Sequence, residues 1–411
     1  MANLNHGVAD ELPVFQGSFE LRDDSFRAFA DWQLTQAPDV VVVGLRGIPD
    51  ISGGIETHCE YLLPKIADRN PDKDYIVIGR RPYMGRNILR RRSNLSVVPL
   101  AALSNRFLET ISNTAVGICV ARFRYRARIV HLHAVGPALL APLARLLGAK
   151  VVFTHHGDDY KRAKWNRAVQ WILKSGERIG MSASNHIIAV SASLADRLRA
   201  EYPRKANAIH YIPNGADHIL SDTAHRTRRV EDWLADHGLL GKDYIVSVGR
   251  MVPEKGFVDL IRAYAIARPA AKLVIVGGKS GSDHDKEIVD LIHAEGLTED
   301  VILTGAIARE GVAALLSKAA LFVLASHHEG LPIAALEASA MGAPILLSDI
   351  QPNLDLGLPA RHYVPVANPP ALAKALAEGG AALGDTDLIA RFNWARIAAD
   401  TDAVYTAAAQ G

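Results

Sequence analysis

The chain has 411 residues, 49% of them hydrophobic and 22% charged, with 32 Gly, 20 Pro and a formal net charge of +2. That length suits two domains better than one core, and the composition excludes disordered, collagen-like and low-complexity classes. Two cysteines, Cys59 and Cys119, are too few for a disulfide framework, and no Cys/His group has zinc-binding spacing along the chain.

Residues 1–38 show little periodicity beyond a short helical pattern near Ser25–Gln33 and are read as an N-terminal extension. They lack a basic region followed by an apolar core, so they do not read as a secretory signal. The pattern changes at Asp39. Val40–Gly44 is a β-branched run entering a Gly-rich turn, and a helix is predicted from about Glu56 to Arg69. Strand, glycine turn and helix open a nucleotide-binding α/β sheet. Strands are predicted at Tyr75–Gly79, Ile129–His133, Lys150–Thr154, His186–Val190 and Ala208–Ile212, with helical patterns between them. The longest apolar stretch, Ala134–Phe153, is interrupted by Arg145 and Lys150 and reads as a buried helix–strand pair, not a membrane span. These features predict a cytosolic protein.

Pro213-Asn214-Gly215 is a strong turn signal, after which a second series begins. Its predicted strands are Tyr244–Val248, Leu273–Val276, Val301–Leu303, Leu321–Ala325 and Pro344–Leu347. Its predicted helices are Gly256–Ala267, Lys286–Glu295, Glu310–Lys318 and Ile333–Met341. Apolar strands alternating with helices predict parallel sheets covered on both faces. The reading is an α/β protein of two Rossmann-like doubly wound domains, 39–215 and 216–390, facing a central cleft. A closing helix is read within 391–411.

Charge is distributed unevenly. Residues 39–210 hold 27 Lys and Arg against 13 Asp and Glu, whereas residues 211–411 hold 17 against 25. One basic cluster is Arg80, Arg81, Arg86, Arg90, Arg91 and Arg92. A second is Arg122, Arg124, Arg126 and Arg128, with Phe123 and Tyr125 interleaved. Most such clusters are solvated faces; this pair also suits anionic headgroups or a pyrophosphate-bearing acceptor. The acidic second half argues against nucleic acid as a partner.

The most specific motif is Ser326–Ile345, SHHEGLPIAALEASAMGAPI. Glu329 follows a strand, Gly330 to Pro332 lead into a helix, and Glu337 lies one turn inside it. Carboxylates accept paired hydrogen bonds from vicinal hydroxyls, so one can hold a sugar and the other a ribose. The helix start between them favours a diphosphate. A capping Glu and a solvated Glu would be the ordinary reading of this spacing taken alone. The second motif, Val246–Gly256, places Arg250 and Lys255 in a loop after the first strand of the second domain. Two cations there can neutralise a diphosphate without a metal. No Asp-x-Asp motif lies at a convincing strand end, so neither a metal nor another cofactor is expected. In the first domain, Gly53 and Gly54 lie in a Gly-rich loop that lets backbone approach phosphate or sugar.

These residues resemble retaining glycosyltransferases of the GT-B fold, specifically family 4 (group 1), over roughly residues 39–409, and the resemblance implies that the closing helix within 391–411 crosses back to the first domain. The resemblance implies Arg250 and Lys255 on the donor diphosphate, Glu329 on the transferred sugar and Glu337 on the ribose. It also implies Gly330 and Leu331 against sugar and phosphates, and Ile307 in Thr304–Ile307 against the base. His156, in Phe153–Trp165, matches the family's histidine at a strand end; its spacing to Gly157 favours it over His155. Gly44–Glu56 and Lys161–Trp165 are similar to a bacterial surface-polysaccharide branch that includes rhamnosyltransferases. His156 departs from that branch, which often has Asp there, and this counts against rhamnose as the sugar. The implied partners are a nucleotide-sugar donor, a glycan or polyprenyl-diphosphate-linked acceptor and an anionic membrane surface on the inner face. A sugar-nucleotide epimerase would convert donor with no acceptor present. A non-catalytic binding subunit would tolerate Glu329→Ala.

Overall fold

The computed structural model describes residues 37–411 except 52, 104–107, 159, 161–165, 221–230, 232–233, 242, 280, 282 and 385. The helix expected near Ser25–Gln33 and the Lys161–Trp165 stretch lie outside the described residues. Contacts divide the chain at Gly215/Ala216 and again at Ala390/Arg391, and the last 21 residues, Arg391–Gly411, belong with the amino-terminal unit.

The amino-terminal unit is built on eight strands. They are β1 (Val40–Val43), β2 (Tyr75–Arg80), β3 (Leu89–Arg92), β4 (Leu95–Leu100), β5 (Ile129–His133), β6 (Lys150–His155), β7 (His186–Ala189) and β8 (Ile209–Tyr211). Their order is β3-β4-β2-β1-β5-β6-β7-β8. All neighbours pair in parallel except β3 and β4. β1 is four consecutive buried valines. A central parallel strand is covered on both faces, so an unbroken β-branched run fits it better than an alternating one.

β3 is an addition to the sequence reading. Arg90, Arg91 and Arg92, read as part of a surface cluster, form an antiparallel edge strand. Charged side chains on an edge strand discourage further pairing. Arg80 is a correction. It is 6% exposed, and its Nη1 lies 3.4 Å from Glu109, so this cation neutralises a neighbouring carboxylate instead of facing solvent. Arg122 is likewise drawn inward, its Nε donating to the Leu147 carbonyl at 2.9 Å.

The closing helix, Trp394–Gln410, buries Trp394, Ile397, Ala398, Thr401, Val404, Tyr405 and Ala408. That spacing of three and four residues makes one apolar stripe. It packs on the Gly54–Arg69 helix and reaches β5 and β6. Lys73 Nζ meets Asp402 at 3.0 Å beside it. Asn393 caps the helix, its Oδ1 accepting from Ala395 N at 2.9 Å and Arg396 N at 3.4 Å. Asn393→Ala is expected to cost about 1 kcal/mol. Urea denaturation checks this, and an unchanged midpoint would show the cap to be dispensable.

The carboxyl-terminal unit carries six strands: β9 (Tyr244–Val248), β10 (Lys272–Val276), β11 (Val301–Gly305), β12 (Leu321–Leu324), β13 (Ile345–Ser348) and β14 (Tyr363–Val364). Their order is β11-β10-β9-β12-β13-β14, all parallel. Each unit thus contains the Rossmann strand order, with its reversal between β1 and β5 in one and between β9 and β12 in the other. Ligands of open α/β sheets bind where the order reverses, beyond the carboxyl ends of the strands. Among the described residues no helix is long and apolar enough to cross a membrane.

Candidate active site

In the carboxyl-terminal unit the two predicted motifs meet at the reversal point. The loop after β9 carries Arg250 and Lys255, and the loop after β12 carries Glu329. Lys255 Nζ donates to Glu329 Oε1 at 2.6 Å, and Ser326 Oγ donates to the same oxygen at 2.7 Å. The Glu329 side chain is 10% exposed and that of Lys255 21%. The loops are also joined through His327, whose N–H donates to the Glu254 carbonyl at 2.9 Å and whose Nε2 lies 2.6 Å from Asp259. Gly256 makes this closeness possible. It has φ +67°, and a Cβ there would stand 2.0 Å from the Ala325 carbonyl oxygen. Only glycine holds that left-handed conformation against the neighbouring strand end.

Glu337 lies in the helix Ile333–Ala340, with Gly330 half-buried and Leu331 buried just ahead of it. The structure adds a partner that sequence reasoning missed: His218 Nε2 stands 3.0 Å from Glu337 Oε1. His218 belongs to the short turn Asp217–Leu220, far from Glu337 in sequence. A carboxylate has about four acceptor sites, so Glu337 can hold His218 and a hydroxyl together. Arg250 is exposed on its loop, and Ile307 is half-buried after β11, the edge strand two places from β9.

In the amino-terminal unit, Gly53 caps the Gly54–Arg69 helix with φ 154°. A Cβ on Gly53 would press on the Arg46–Glu56 pair, whereas a Cβ on Gly54 would meet nothing within 4 Å. The chain itself therefore requires glycine at Gly53 but not at Gly54. Glu56, not singled out by sequence, is buried and takes Arg46 N, Nε and Nη2 at 3.1, 3.0 and 3.0 Å, fixing the loop after β1.

The adjacent histidines at the end of β6 have different fates. His155 is fully buried and engaged: its Nε2 is 2.7 Å from Glu177, and its Nδ1 accepts from Gly157 N at 3.2 Å. Arg197 Nη2 joins Glu177 at 2.9 Å and Asp158 at 2.7 Å. Although burial opposes it, the hydrogen bonds from His155 and Arg197 bring the Glu177 carboxyl down to about 2. His156 turns instead into a group of imidazoles. Its Nε2 lies 2.9 Å from His133 Nδ1, and its ring meets His58 edge to face at 5.0 Å between centres. His58 Nδ1 donates to Asn214 Oδ1 at 2.7 Å, which uses the predicted Pro213–Gly215 turn as a buried bracket. His131 is held by Tyr405 and Thr154 hydroxyls, each at 2.7 Å.

Burial lowers these imidazoles, to about 4 at His58 and about 3 at His131. His133 and His156 fall well below the ordinary range, through burial first and then through neighbouring imidazoles. At neutral pH His156 is thus an uncharged hydrogen-bonding partner and not a cation. Sequence reasoning picked out His156 but missed His58, His131 and His133. The available signal was His-Leu-His within the buried strand β5, where residues two apart share a face.

Two Rossmann-like units, one with paired carboxylates and a cation at its reversal point, define an enzyme of the GT-B glycosyltransferase class. Comparison with known proteins agrees. Residues 52–219 match "Glycosyltransferase Family 4" and residues 230–378 match "Glycosyl transferases group 1". The chain is a family 4/group 1 glycosyltransferase. It is 26% identical over 286 residues to the alpha-D-kanosaminyltransferase of Streptomyces kanamyceticus, covering 65% of this chain and 73% of that one. It is 28% identical over 235 residues to the GDP-mannose:cellobiosyl-diphosphopolyprenol alpha-mannosyltransferase of Xanthomonas oryzae pv. oryzae, covering 56% and 58%. Its fold is similar to sucrose-phosphate synthase from Thermosynechococcus elongatus, with TM-score 0.71 and 19% identity over 90% of this chain and 94% of that one.

Proposed function

We propose that this glycosyltransferase moves a sugar from a nucleoside-diphosphate sugar to a polyprenyl-diphosphate-linked glycan, with retention at the anomeric carbon, in bacterial capsule or exopolysaccharide assembly. The observation that carries the reading is the 2.6 Å contact of Lys255 with Glu329 at the reversal point of the carboxyl-terminal sheet. A cation suited to phosphate and a carboxylate suited to sugar hydroxyls stand side by side, as a sugar diphosphate requires.

In this reading Arg250 and Lys255 neutralise the diphosphate without a metal. Glu329 accepts from the sugar hydroxyls, Glu337 from the ribose, and the backbone at Gly330 and Leu331 meets sugar and phosphate. Ile307 lies against the base. Gly53, Gly54 and the neutral His156 belong to the amino-terminal contribution, His156 as a hydrogen-bond partner of the sugar. The bond from anomeric carbon to diphosphate oxygen breaks with its electron pair leaving on the diphosphate. The acceptor hydroxyl attacks from the same face, and its proton passes to the departing diphosphate.

A thermal-shift panel of UDP-, GDP- and dTDP-sugars in EDTA tests the donor half. One nucleotide is expected to raise the melting temperature of the wild type and not of Glu337→Ala. No shift with any of them would overturn metal-free donor binding.

The lipid-linked acceptor is supported by the acceptor named for the Xanthomonas relative and by the basic surface of the amino-terminal unit. Arg124, Arg126 and Arg128 are exposed, Phe123 is 73% exposed, and Leu146 is 83% exposed. Bases beside bare apolar side chains suit a peripheral site on an anionic membrane. Flotation with phosphatidylglycerol vesicles at low salt should recover the protein. It should fail for Arg124, Arg126 and Arg128 changed together to Glu. Equal recovery of both proteins would remove the membrane surface from the reading.

A further inference from the structure

Three imidazoles from separate parts of the amino-terminal unit converge on one point. His58 comes from the Gly54–Arg69 helix, His133 from the end of β5, and His156 from the residue after β6. One ligand nitrogen of each lies within 4.8 Å of the other two. The ring centres form a nearly equilateral triangle with sides of 5.0, 5.2 and 5.6 Å. A tetrahedral zinc ion with Zn–N bonds of about 2.0–2.1 Å places the centres of its imidazoles about 5.2 Å apart. The rings therefore already stand at ligand spacing, and ring rotation brings the nitrogens in.

Two further observations point the same way. The Asn214 carboxamide oxygen takes the Nδ1 proton of His58 at 2.7 Å, which makes Nε2 the nitrogen that carries the lone pair. A partner on the far nitrogen is what orients a metal-binding imidazole. His133 Nδ1 and His156 Nε2 share one proton across 2.9 Å, and a cation can take the place of that proton between the two lone pairs.

We propose that His58, His133 and His156 form a site for one zinc-type divalent cation, with the fourth position open to water or another oxygen ligand. The proposal goes beyond the transfer reading and needs neither donor nor acceptor. Along the sequence these ligands are too far apart to show zinc spacing, and the sheet brings them together. If His156 contacts the sugar as proposed above, zinc competes with that contact and acts as an inhibitor that EDTA removes.

The test uses the full chain, freed of any histidine tag, stripped with EDTA and dialysed. Titration with Co2+ should give the visible absorption of a tetrahedral nitrogen-ligated ion, saturating at one equivalent and abolished by Zn2+. X-ray absorption of the zinc form should show three imidazoles. Asn214→Ala should weaken binding about 10–100-fold, as loss of an orienting partner does, and His58→Gln should weaken it further. No saturable absorption on the wild type, or a metal shell without three imidazoles, would overturn the site whatever the variants do. Both readouts are independent of transfer, so their failure leaves the transfer reading untouched. Loss of transfer in the metal-free enzyme would make the ion a cofactor and refute the inhibitory role.

Discussion

Glu329→Gln is expected to slow sugar transfer by about 10²-fold or more, measured as nucleotide release in the presence of lipid acceptor extract. The physical ground is charge. Glu329 is nearly buried beside Lys255, and a carboxylate accepts from a sugar hydroxyl about twice as strongly as an amide does. As positive character develops at the anomeric carbon, a nearby negative oxygen stabilises the transition state more than the bound donor. The change keeps size and leaves an oxygen for the Ser326 hydroxyl, so circular dichroism should be unchanged. Lys255→Met should fall by a similar factor. Because the two groups touch at 2.6 Å, the double variant should lose less than the product of the single losses. Wild-type turnover in Glu329→Gln would refute the assignment of this carboxylate to the sugar, and a wild-type protein that binds donor but releases no nucleotide would favour a binding subunit. A variant that still converts donor without acceptor would favour an epimerase.

The second large effect is on stability. The amino-terminal unit should lose about 4 kcal/mol between pH 7.5 and pH 5 from two histidines alone. His58 and His131 have folded values of about 4 and about 3 against an ordinary 6.5. The lowered folded value means the unfolded chain takes up the proton first. The stability is complete above about pH 6.5 and declines as pH falls towards those folded values, by about 1.4 kcal/mol per unit for each group. Glu177 does not confuse the measurement. Its folded value of about 2 places its own loss below the ordinary 4.5. Urea midpoints at pH 7.5, 6.5, 5.5 and 5.0, followed by fluorescence of this unit's Trp394, read the effect. His131→Gln should flatten the slope, since a glutamine cannot take up the proton. A midpoint independent of pH would show that these rings are solvated and charge freely.

The two motifs of the carboxyl-terminal unit were legible in the sequence because each lies in a short window. Arg250 to Lys255 and Glu329 to Glu337 are set by one strand, one turn and one helix start, and local geometry fixes their relative positions. The valine run of β1, the closing helix behind Asn393 and the repeated strand–helix alternation were legible for the same reason: hydrophobic period is a local property. The β3 edge strand was not, because an edge exposed on one face can be as charged as a loop.

What only the tertiary structure decided is which polar groups meet. Arg80 looked like its cluster neighbours until Glu109 arrived from another element. His218 reached Glu337 across 119 residues of chain. His155 and His156 are adjacent and of the same type, yet one is tied to Glu177 and the other joins His58 and His133. The lowered pKa of His156 follows from burial and neighbouring imidazoles, and these belong to the assembled sheets. A strand's own sequence dictates that it is buried, but the neighbour it is buried against comes from the order in which the strands are laid down.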